Sequence, residues 1–266
     1  MNILDDIIAS KRKELVRSRQ QIPLSELEWR AREAGPPRSL KDALLDSPRS
    51  GIIAEFKRKS PSRGWIHQGA LAGKVAKSYA DHGASAVSVL TDFPYFGGSP
   101  DDLAEAKSAC SLPVLRKDFI IDPYQVYESR VMGADALLLI AACLDAETVR
   151  TLALLSRSLG METLLEVHGA DELEKLDGAV TLIGVNNRDL TSFRVDIRLS
   201  LELSRLIPQD RVKVAESGIS DPEAAWSLRQ AGYQGLLIGE VFMRDPDPGA
   251  CLGSFIRELE KKKQEV

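Results

Sequence analysis

The first residues whose types and spacing suggest chemistry are Glu55 and Lys57, in the stretch GIIAEFKRKSPSRG (residues 51–64). They stand where an apolar, strand-like run gives way to a loop rich in Ser, Pro and Gly. Because side chains alternate across a strand, Glu55 and Lys57 share one face. On the inner face of a closed sheet they would place a carboxylate and an ammonium group at the mouth of a pocket. On an outer face they would form an ordinary surface ion pair.

Charged and amide side chains also stand at the ends of later apolar runs, namely Lys117, Glu166, Asn186, Arg188 and Glu216. If these runs are strands whose ends meet, three cations converge with three carboxylates at one place. Burying a charge costs on the order of several kcal/mol before pairing offsets it, so structural ion pairing explains such a set poorly. Carboxylates and ammonium groups held close together also shift each other's pKa, as general acid and base catalysis requires.

Two glycines suggest a phosphate site. Gly218 and Gly239 come just past the seventh and eighth apolar runs, in AESGISDPEAA and IGEVFMRD. Glycine lets the backbone approach a ligand closely, and a helical turn after it directs free N–H groups at the same point. Two tight turns without a ligand would explain the same residues. The loop from Ser60 to Gly64 is a third candidate, because it offers hydroxyls and basic charge and could close over a substrate.

The elements that would position these side chains repeat along the chain. From residue 51 onward an amphipathic helix, a Gly-containing turn, an apolar strand and a polar loop follow one another, and eight strands can be counted. Strands alternating with helices at this spacing indicate parallel pairing through right-handed crossovers. We predict an α/β fold, a single (β/α)8 TIM barrel. An open doubly wound sheet is the alternative, but the GxGxxG turn typical of it is missing. The helices are expected near residues 70–81, 101–109, 123–131, 145–158, 170–175, 198–206, 221–230 and 250–262.

Residues 1–48 are expected to form a helical extension packed on a barrel of residues 49–266, the two making one domain. An apolar stripe runs through residues 2–19, with Asp, Lys and Arg on the other side of the helix. Further helices are expected from Leu24 to Arg32 and from Leu40 to Leu45. Asp145 and Asp221 are helix-start signals, and glycines at helix C-caps are expected at Gly83, Gly133, Gly160 and Gly232.

Composition excludes several classes of protein. The net charge of −4 is mild and both signs are well mixed, so we expect no nucleic-acid partner and no membrane association. Three widely spaced cysteines without a CxxC pair argue against disulfides and against a zinc site. Because no secretory segment or long apolar run occurs, we expect a soluble cytoplasmic protein. No metal-binding cluster is recognised, and His168, after the fifth strand, is expected to be solvated.

Taken together, these motifs resemble the indole-3-glycerol phosphate synthase family. The resemblance runs through the whole chain in the family's order and spacing. One departure is the stretch WIHQGALAGKVA, which lacks the aromatic–acid–proline usually found near that point. The matching stretches are ILDDIIASKRKEL, AEFKRKSPSRG, SVLTDFPYFGGS, VLRKDFIIDPYQ, LLEVH, GVNNRDL, VAESGI and LLIGEVFMR.

The resemblance implies a carboxy-lyase of tryptophan biosynthesis that uses no cofactor and acts as a monomer or homodimer. Its substrate would be 1-(2-carboxyphenylamino)-1-deoxyribulose 5-phosphate, and the reaction would close the indole ring with loss of CO2 and water. In the family's pattern Lys117 is the general acid that protonates the ketone oxygen, and Glu166 is the acid/base of the dehydration step. Lys57 would hold the substrate carboxylate and orient Lys117.

The resemblance gives the remaining residues supporting roles. Glu55 and Asn186 would position the catalytic groups and the sugar hydroxyls, Arg188 would add positive charge near the carboxylate, and Glu216 and Ser217 would line the floor. Phosphate would be held by Ser60, Gly218, Gly239 and the N–H of Glu240. Phe96 and Phe119 would flank the aromatic ring of the substrate, or they would simply pack in the core.

Three other functions suit the same fold. A sugar-phosphate isomerase would need one acid/base pair rather than three cations. An aldolase would use Lys117 to form a Schiff base with its substrate. A non-catalytic barrel that binds a phosphorylated metabolite, or holds partners through its N-terminal helices, would not need both Lys117 and Glu166 in the mouth.

Overall fold

The computed structural model describes residues 3–46, 49–190 and 192–264. Within these residues eight parallel strands close into a barrel in the order β1-β8-β7-β6-β5-β4-β3-β2. The strands are β1 (Ile52–Phe56), β2 (Ala86–Leu90), β3 (Val114–Lys117), β4 (Ala136–Ile140), β5 (Glu162–Val167), β6 (Leu182–Asn186), β7 (Val212–Glu216) and β8 (Gly235–Ile238). The closed parallel sheet confirms the predicted (β/α)8 TIM barrel and excludes the open doubly wound sheet.

Helices surround the barrel and precede it. They are α1 (Ile3–Gln21), α2 (Leu24–Glu33), α3 (Leu40–Leu45), α4 (Ala72–Asp81), α5 (Phe93–Phe96), α6 (Pro100–Ala109), α7 (Pro123–Met132), α8 (Ala146–Ser158), α9 (Arg198–Leu203), α10 (Pro222–Gln230), α11 (Glu240–Met243) and α12 (Pro248–Gln264). Short 3₁₀ turns span Ala141–Cys143 and Asp171–Lys175. After β1 the chain forms a small hairpin, in which Lys59–Ser60 pairs with Gly64–Trp65.

Two predicted helices differ from the structure, and three short elements besides the 3₁₀ turn Ala141–Cys143 were not predicted. The helix expected at 170–175 is the 3₁₀ turn Asp171–Lys175, which ends at the extended residue Leu176. The helix expected at 198–206 ends at Leu203. The unpredicted elements are α5, α11 and the hairpin after β1, which are too short to show a periodic pattern.

The helix caps follow local chemistry. Asp145 and Asp221 accept hydrogen bonds from the backbone N–H groups of Thr148 and Ala224, as N-caps do. The four glycines expected at helix C-caps have φ values between +79° and +95°. These caps fix where each outer helix begins and ends, and therefore where the following strand enters the barrel.

The apolar core has two layers. Between the barrel and the helices lies one continuous cluster, and a second cluster fills the inside of the barrel. Leu40 and Leu44 of α3 belong to the inner cluster, so this helix closes the N-terminal end of the barrel. The inner strand residues are Ile53, Ala86, Leu115, Ala136, Leu138, Ile140, Leu164, Leu182, Val212, Val214 and Leu237.

The other N-terminal helices pack on the outside. Leu15 of α1 and Leu27 of α2 form a small cluster with Tyr124 of α7. Lys11, which the amphipathic pattern placed on the polar side of α1, is instead buried in the stripe between Ile7 and Leu15. Within the described residues no helix is both long and apolar enough to span a membrane.

Candidate active site

A cavity of about 600 Å³ opens at the C-terminal ends of the strands. Ile3, Leu4 and Ile7 of α1 also reach its wall, which sequence reasoning did not anticipate. The cavity therefore lies at the end of the barrel where active sites occur in this fold. The N-terminal helix α1 covers part of it. All the predicted site residues line the cavity: Glu55, Lys57, Ser60, Phe96, Phe119, Lys117, Glu166, Asn186, Arg188, Glu216, Ser217, Gly218, Gly239 and Glu240.

Lys117 lies at the centre of the charged wall. Its Nζ donates a hydrogen bond to Glu166 Oε2 at 2.9 Å and lies 3.3 Å from Glu216 Oε2. The two carboxylate side chains are nearly fully buried, whereas the lysine is partly exposed to the cavity. We call Lys117, Glu166, Glu216, Glu55 and Lys57 the mouth cluster.

Strand register explains why these side chains meet. Glu166 on β5 pairs with Gly184 on β6, and Asn186 pairs with Glu216 on β7. A Cβ atom on Gly184 would collide with Glu216 Oε1. The glycine therefore leaves the space that the Glu216 carboxylate occupies, and the sequence alone did not reveal this use of a glycine inside a strand.

The mouth cluster shifts the pKa of its own members. Burial alone would lower the pKa of Lys117, but the charges of Glu166, Glu216 and Glu55 raise it well above its usual value. Burial would raise the pKa of Glu166, but Lys117 and His168 hold it well below its usual range. Burial, with the neighbouring charge of Glu166, raises the pKa of Glu216 to about 8 even though Lys117 opposes the shift. At neutral pH the cluster thus holds an ammonium, an ionised carboxylate and a protonated carboxyl.

Glu55 and Lys57 form an ion pair on the same wall. Gly239 allows this arrangement, because a Cβ atom at that position would lie 2.6 Å from Glu55 Oε1. Of the two interpretations of this pair, the structure therefore supports the one in which both residues face the inside of the barrel.

Positive charge collects around Glu240, just after β8. Glu240, the first residue of α11, is contacted by Arg244 at 2.6 Å, by Arg63 of the hairpin at 3.2 Å and by Arg188 at 3.8 Å. Ser60 and Gly218 line the same cavity. The resemblance placed Arg188 near the substrate carboxylate, whereas the structure places it beside Glu240. The basic loop of residues 60–64, which contains Arg63, was a predicted phosphate candidate, but Arg244, which follows α11, was not predicted.

Ser217 has an unusual backbone for a residue with a side chain. Its φ is +64°, in the left-handed region, and the next residue, Gly218, has φ +76°. The carbonyl oxygen of Ser217 accepts a hydrogen bond from Asn187 Nδ2 at 3.1 Å. A strained turn held by a buried side chain at a cavity wall is a common feature of binding sites.

The apolar part of the cavity lies under α1. The rings of Phe96 and Phe119 are 6.1 Å apart between centroids, and both are only partly buried. Ile3, Leu4 and Ile7 complete this part of the wall. Because both rings line the cavity, they are placed to contact a ligand and not only to fill the core.

His168 is buried more deeply than the sequence suggested. The sequence suggested a solvated side chain, but the imidazole is only 14% exposed and lies between two carboxylates. It is 3.3 Å from Glu166 Oε1 and 3.5 Å from Glu172 Oε2. A lone histidine two positions after a strand-end acid could have been found by alternation, because it shares the face of Glu166.

A second group of buried charges lies directly behind the mouth cluster. Lys11 Nζ lies 3.2 Å from Asp92 and 3.0 Å from Asp118, and Arg116 Nη2 lies 3.0 Å from Asp118 and 2.8 Å from Glu128. We call these five residues the leader cluster. It ties α1 to the residue that follows Lys117.

Among the described residues no group of three or more His, Cys, Asp or Glu side chains is arranged to hold a metal ion. The polar groups that line the cavity are ammonium, guanidinium, carboxyl, hydroxyl, amide and backbone groups.

Solved structures show similarity in fold. The chain resembles 3-hexulose-6-phosphate synthase from Salmonella typhimurium with a TM-score of 0.62 at 12% sequence identity, covering 79% of this chain and 99% of that one. It resembles the alpha subunit of tryptophan synthase from Legionella pneumophila with a TM-score of 0.60 at 12% identity, covering 85% of this chain and 98% of that one. At such low identity these similarities support the barrel fold alone.

Sequence comparison is far more specific. A relative from Bacteroides thetaiotaomicron, named indole-3-glycerol phosphate synthase, is 48% identical over 259 residues, which cover 97% of this chain and 99% of the relative. One of the same name from Verminephrobacter eiseniae is 45% identical, covering 94% of this chain and 97% of the relative. The family model described as indole-3-glycerol phosphate synthase matches residues 4–259. The chain therefore belongs to the indole-3-glycerol phosphate synthase family, the carboxy-lyases of tryptophan biosynthesis.

Proposed function

We propose that the cavity binds 1-(2-carboxyphenylamino)-1-deoxyribulose 5-phosphate and that the mouth cluster closes its indole ring with loss of CO2 and water. The observation that carries this proposal is the placement of Lys117 Nζ between Glu166 and Glu216, at 2.9 and 3.3 Å, on the wall of a cavity. A protonated donor and an ionised acceptor are then held side by side, and the reaction needs both.

The two ends of the cavity suit the two ends of the substrate. The phosphate would lie near Ser60, Gly218, Gly239 and the N–H of Glu240, with Arg63, Arg188 and Arg244 nearby. Three guanidinium groups lie near the single Glu240 carboxylate, so the net charge of this part of the wall is positive and can bind a phosphate.

The aromatic ring of the substrate would lie against Phe96 and Phe119, near the apolar side chains of α1. Its carboxylate would then face Lys57, which Glu55 holds in place. Asn186 would position the sugar hydroxyls. The protonated carboxyl of Glu216, together with Ser217, would line the floor beneath the reacting carbons.

The chemistry follows from this placement. The ring carbon that bears the carboxylate attacks the ketone carbon, and Lys117 gives a proton to the ketone oxygen as the new carbon–carbon bond forms. Loss of CO2 breaks the bond to the carboxylate and returns its electron pair to the ring. The new hydroxyl then takes a proton and leaves as water. Loss of a proton from the neighbouring carbon completes the indole.

Glu166 would act in the dehydration step as the acid/base. Because Lys117 and His168 keep the pKa of Glu166 low, Glu166 begins as a carboxylate. In the dehydration step it can therefore accept a proton before it donates one. Lys117 begins protonated, because the acidic side chains around it, Glu166 above all, raise its pKa even though burial would lower it. The resting protonation states therefore match the proposed order, in which Lys117 donates before Glu166 accepts.

The test is a continuous fluorescence assay of indole formation from the synthetic substrate. Wild-type protein is expected to produce indole fluorescence, and Lys117→Ala is expected to lose roughly 10²- to 10⁴-fold or more in kcat, because it lacks the proton donor. Turnover of this variant within a few-fold of wild type would contradict the assignment of the acid. Borohydride should not trap a covalent adduct with substrate, whereas an aldolase using a Schiff base at Lys117 would be trapped.

We propose further that the protein acts in the cytoplasm as a monomer or homodimer, and that residues 1–48 and 49–266 form one domain. The buried Lys11 and the insertion of α3 into the inner core support the single domain. Light scattering after gel filtration would measure the oligomeric state. A single unfolding transition observed by both fluorescence and circular dichroism would support one domain.

A further inference from the structure

His168 is the first residue after β5, two positions beyond Glu166, so both side chains leave the chain on the same face. The imidazole lies between Glu166, in the mouth cluster, and Glu172, in the 3₁₀ turn that follows. Glu172 is itself held, because its Oε2 accepts the backbone N–H of His168 at 2.6 Å. A carboxylate, an imidazole and the proposed catalytic carboxylate therefore form a row.

The ring is suited to carry a positive charge. Both of its nitrogens are shielded from solvent, and neither has a partner with hydrogen-bond geometry among the described residues. A neutral imidazole could donate toward only one carboxylate, whereas an imidazolium can donate toward both. Burial would lower the pKa of His168, but Glu166 and Glu172 raise it to about 10.

Two ammonium groups near this row disfavour a positive charge on the ring, and each lies near one of the two carboxylates. Lys117 of β3 contacts the other oxygen of Glu166, and Lys175 adds positive charge near Glu172. Cys143, with Asp5 of α1 in its surroundings, is a neutral neighbour, because burial and the carboxylates raise the pKa of its thiol to about 12. The carboxylates on either side of the ring thus dominate its environment.

We propose that His168 is a positioning residue for the reaction. As an imidazolium fixed by Glu172, it holds Glu166 Oε1, leaves Oε2 beside Lys117 and keeps the Glu166 carboxylate ionised until it accepts a proton. This inference rests on the proposed role of Glu166 in the dehydration step. It extends the catalytic apparatus to the 3₁₀ turn after β5.

Kinetics on matched variants test the role. His168→Gln is expected to lower kcat by roughly tenfold to a hundredfold with KM changed less than about twofold, because Glu166 is misplaced rather than removed. The acid limb of the kcat profile should move to higher pH by about one unit, because loss of the cation raises the pKa of Glu166. His168→Lys, which keeps the charge, should retain the wild-type acid limb.

Two further variants keep the test informative if His168→Gln folds poorly. Glu172→Gln should change kcat and the acid limb in the same direction by a smaller factor, because the imidazolium loses one of its two carboxylates. Glu174→Gln, an exposed residue of the same turn, is the matched control and should leave both unchanged.

Histidine NMR gives a readout that needs no turnover. The chain has three histidines, so the ring signals can be assigned by substitution. The His168 ring is expected to remain protonated at pH 8 and to titrate at lower pH in Glu172→Gln. A ring that titrates near its ordinary pKa of about 6.5 in wild type and in Glu172→Gln would overturn the proposal.

The kinetic outcomes separate this inference from the function on which it rests. Wild-type protein that forms no indole product would overturn the proposed function and, with it, the role of His168, whatever the ring titration shows. Wild-type protein that forms product, with His168→Gln unchanged in kcat and acid limb, would overturn the role of His168 alone.

Discussion

Lys117 and Asp118 are neighbours in the chain, yet they belong to two clusters of buried charge that differ in how fully their members are paired. In the leader cluster Asp118 contacts Lys11 and Arg116 and accepts hydrogen bonds from Thr91 Oγ1 at 2.5 Å and from the N–H of Phe119 at 2.8 Å. Such complete pairing holds α1 against the barrel.

The mouth cluster is less completely paired. Glu216 Oε1 is buried without a hydrogen-bond partner among the described residues, and the pKa of that carboxyl is raised to about 8. A buried polar atom without a partner destabilises the fold, by about 1–3 kcal/mol in typical cases. The contrast indicates that full pairing marks the cluster that serves stability, and incomplete pairing beside a cavity marks the cluster that serves chemistry.

The largest expected effect is on turnover in the mouth cluster. Glu166→Gln should lower turnover roughly 10²- to 10⁴-fold, because an amide cannot exchange the proton in the dehydration step. Single-turnover kinetics should show the later step slowed and substrate binding retained within a few-fold. Glu147→Gln, at an exposed position of α8, is the control. Intact chemistry with lost binding would remove the distinction between the two clusters.

The leader cluster should respond in stability. Asp118→Asn leaves Lys11 and Arg116 with less compensating charge in a buried place, so the free energy of unfolding should fall by about 3–5 kcal/mol. Urea denaturation measures this change. The control is Asp81→Asn, which breaks an exposed pair with Lys77 and should cost about 0–1 kcal/mol. A loss no larger than in the control would show that this cluster does not hold the fold.

The unusual carboxyl of the mouth cluster should show in pH dependence. The pKa of Glu216 is raised above its unfolded value of 4.5, so the native state binds the extra proton and wild-type stability falls as pH rises from about 4.5 to 8. The Glu216→Gln variant does not lose stability in this way, because glutamine does not titrate. Its stability relative to wild type should increase between pH 5 and pH 9 by about 4 kcal/mol. A difference that does not vary with pH in urea titrations would argue that Glu216 titrates normally.

A smaller effect should follow from the glycine that makes room for Glu216. Gly184→Ala puts a methyl group against Glu216 Oε1, so the carboxyl must move and kcat should fall up to about tenfold. Gly178→Ala is a matched control, because nothing lies within 4 Å of the added methyl group. Equal activity of the two variants would mean that the position of Glu216 is unimportant for turnover.

Much of the mouth cluster was predictable from sequence. Strand alternation and the rule that loops at strand ends carry chemistry predict that Lys117, Glu166 and Glu216 lie together. The same rule placed the glycines after β7 and β8 on one wall. These predictions succeed because eight strand ends of a closed barrel meet at one place, whatever the details of packing.

The leader cluster was not predictable in the same way. Lys11 stands in an amphipathic helix, where a lysine normally faces solvent, and only the tertiary partners Asp92 and Asp118 explain its burial. Strand alternation puts His168 on the face of Glu166, but its burial against Glu172 depends on how the 3₁₀ turn folds back. Arg244 was missed because its contact with Glu240 depends on the short helix after β8. Periodicity carries no information about such contacts.

The most direct test gives both lysines the same substitution. Lys117→Met and Lys11→Met are compared for kcat and for the free energy of unfolding in urea. We expect Lys117→Met to lose at least about a hundredfold in kcat, with a stability loss less than half that of Lys11→Met, because its carboxylate partners border the cavity and can take up protons. We expect Lys11→Met to lose about 3–5 kcal/mol of stability with kcat of the folded protein within about tenfold. Parallel losses of activity and stability in both variants would contradict the division between a cluster for chemistry and a cluster for the fold.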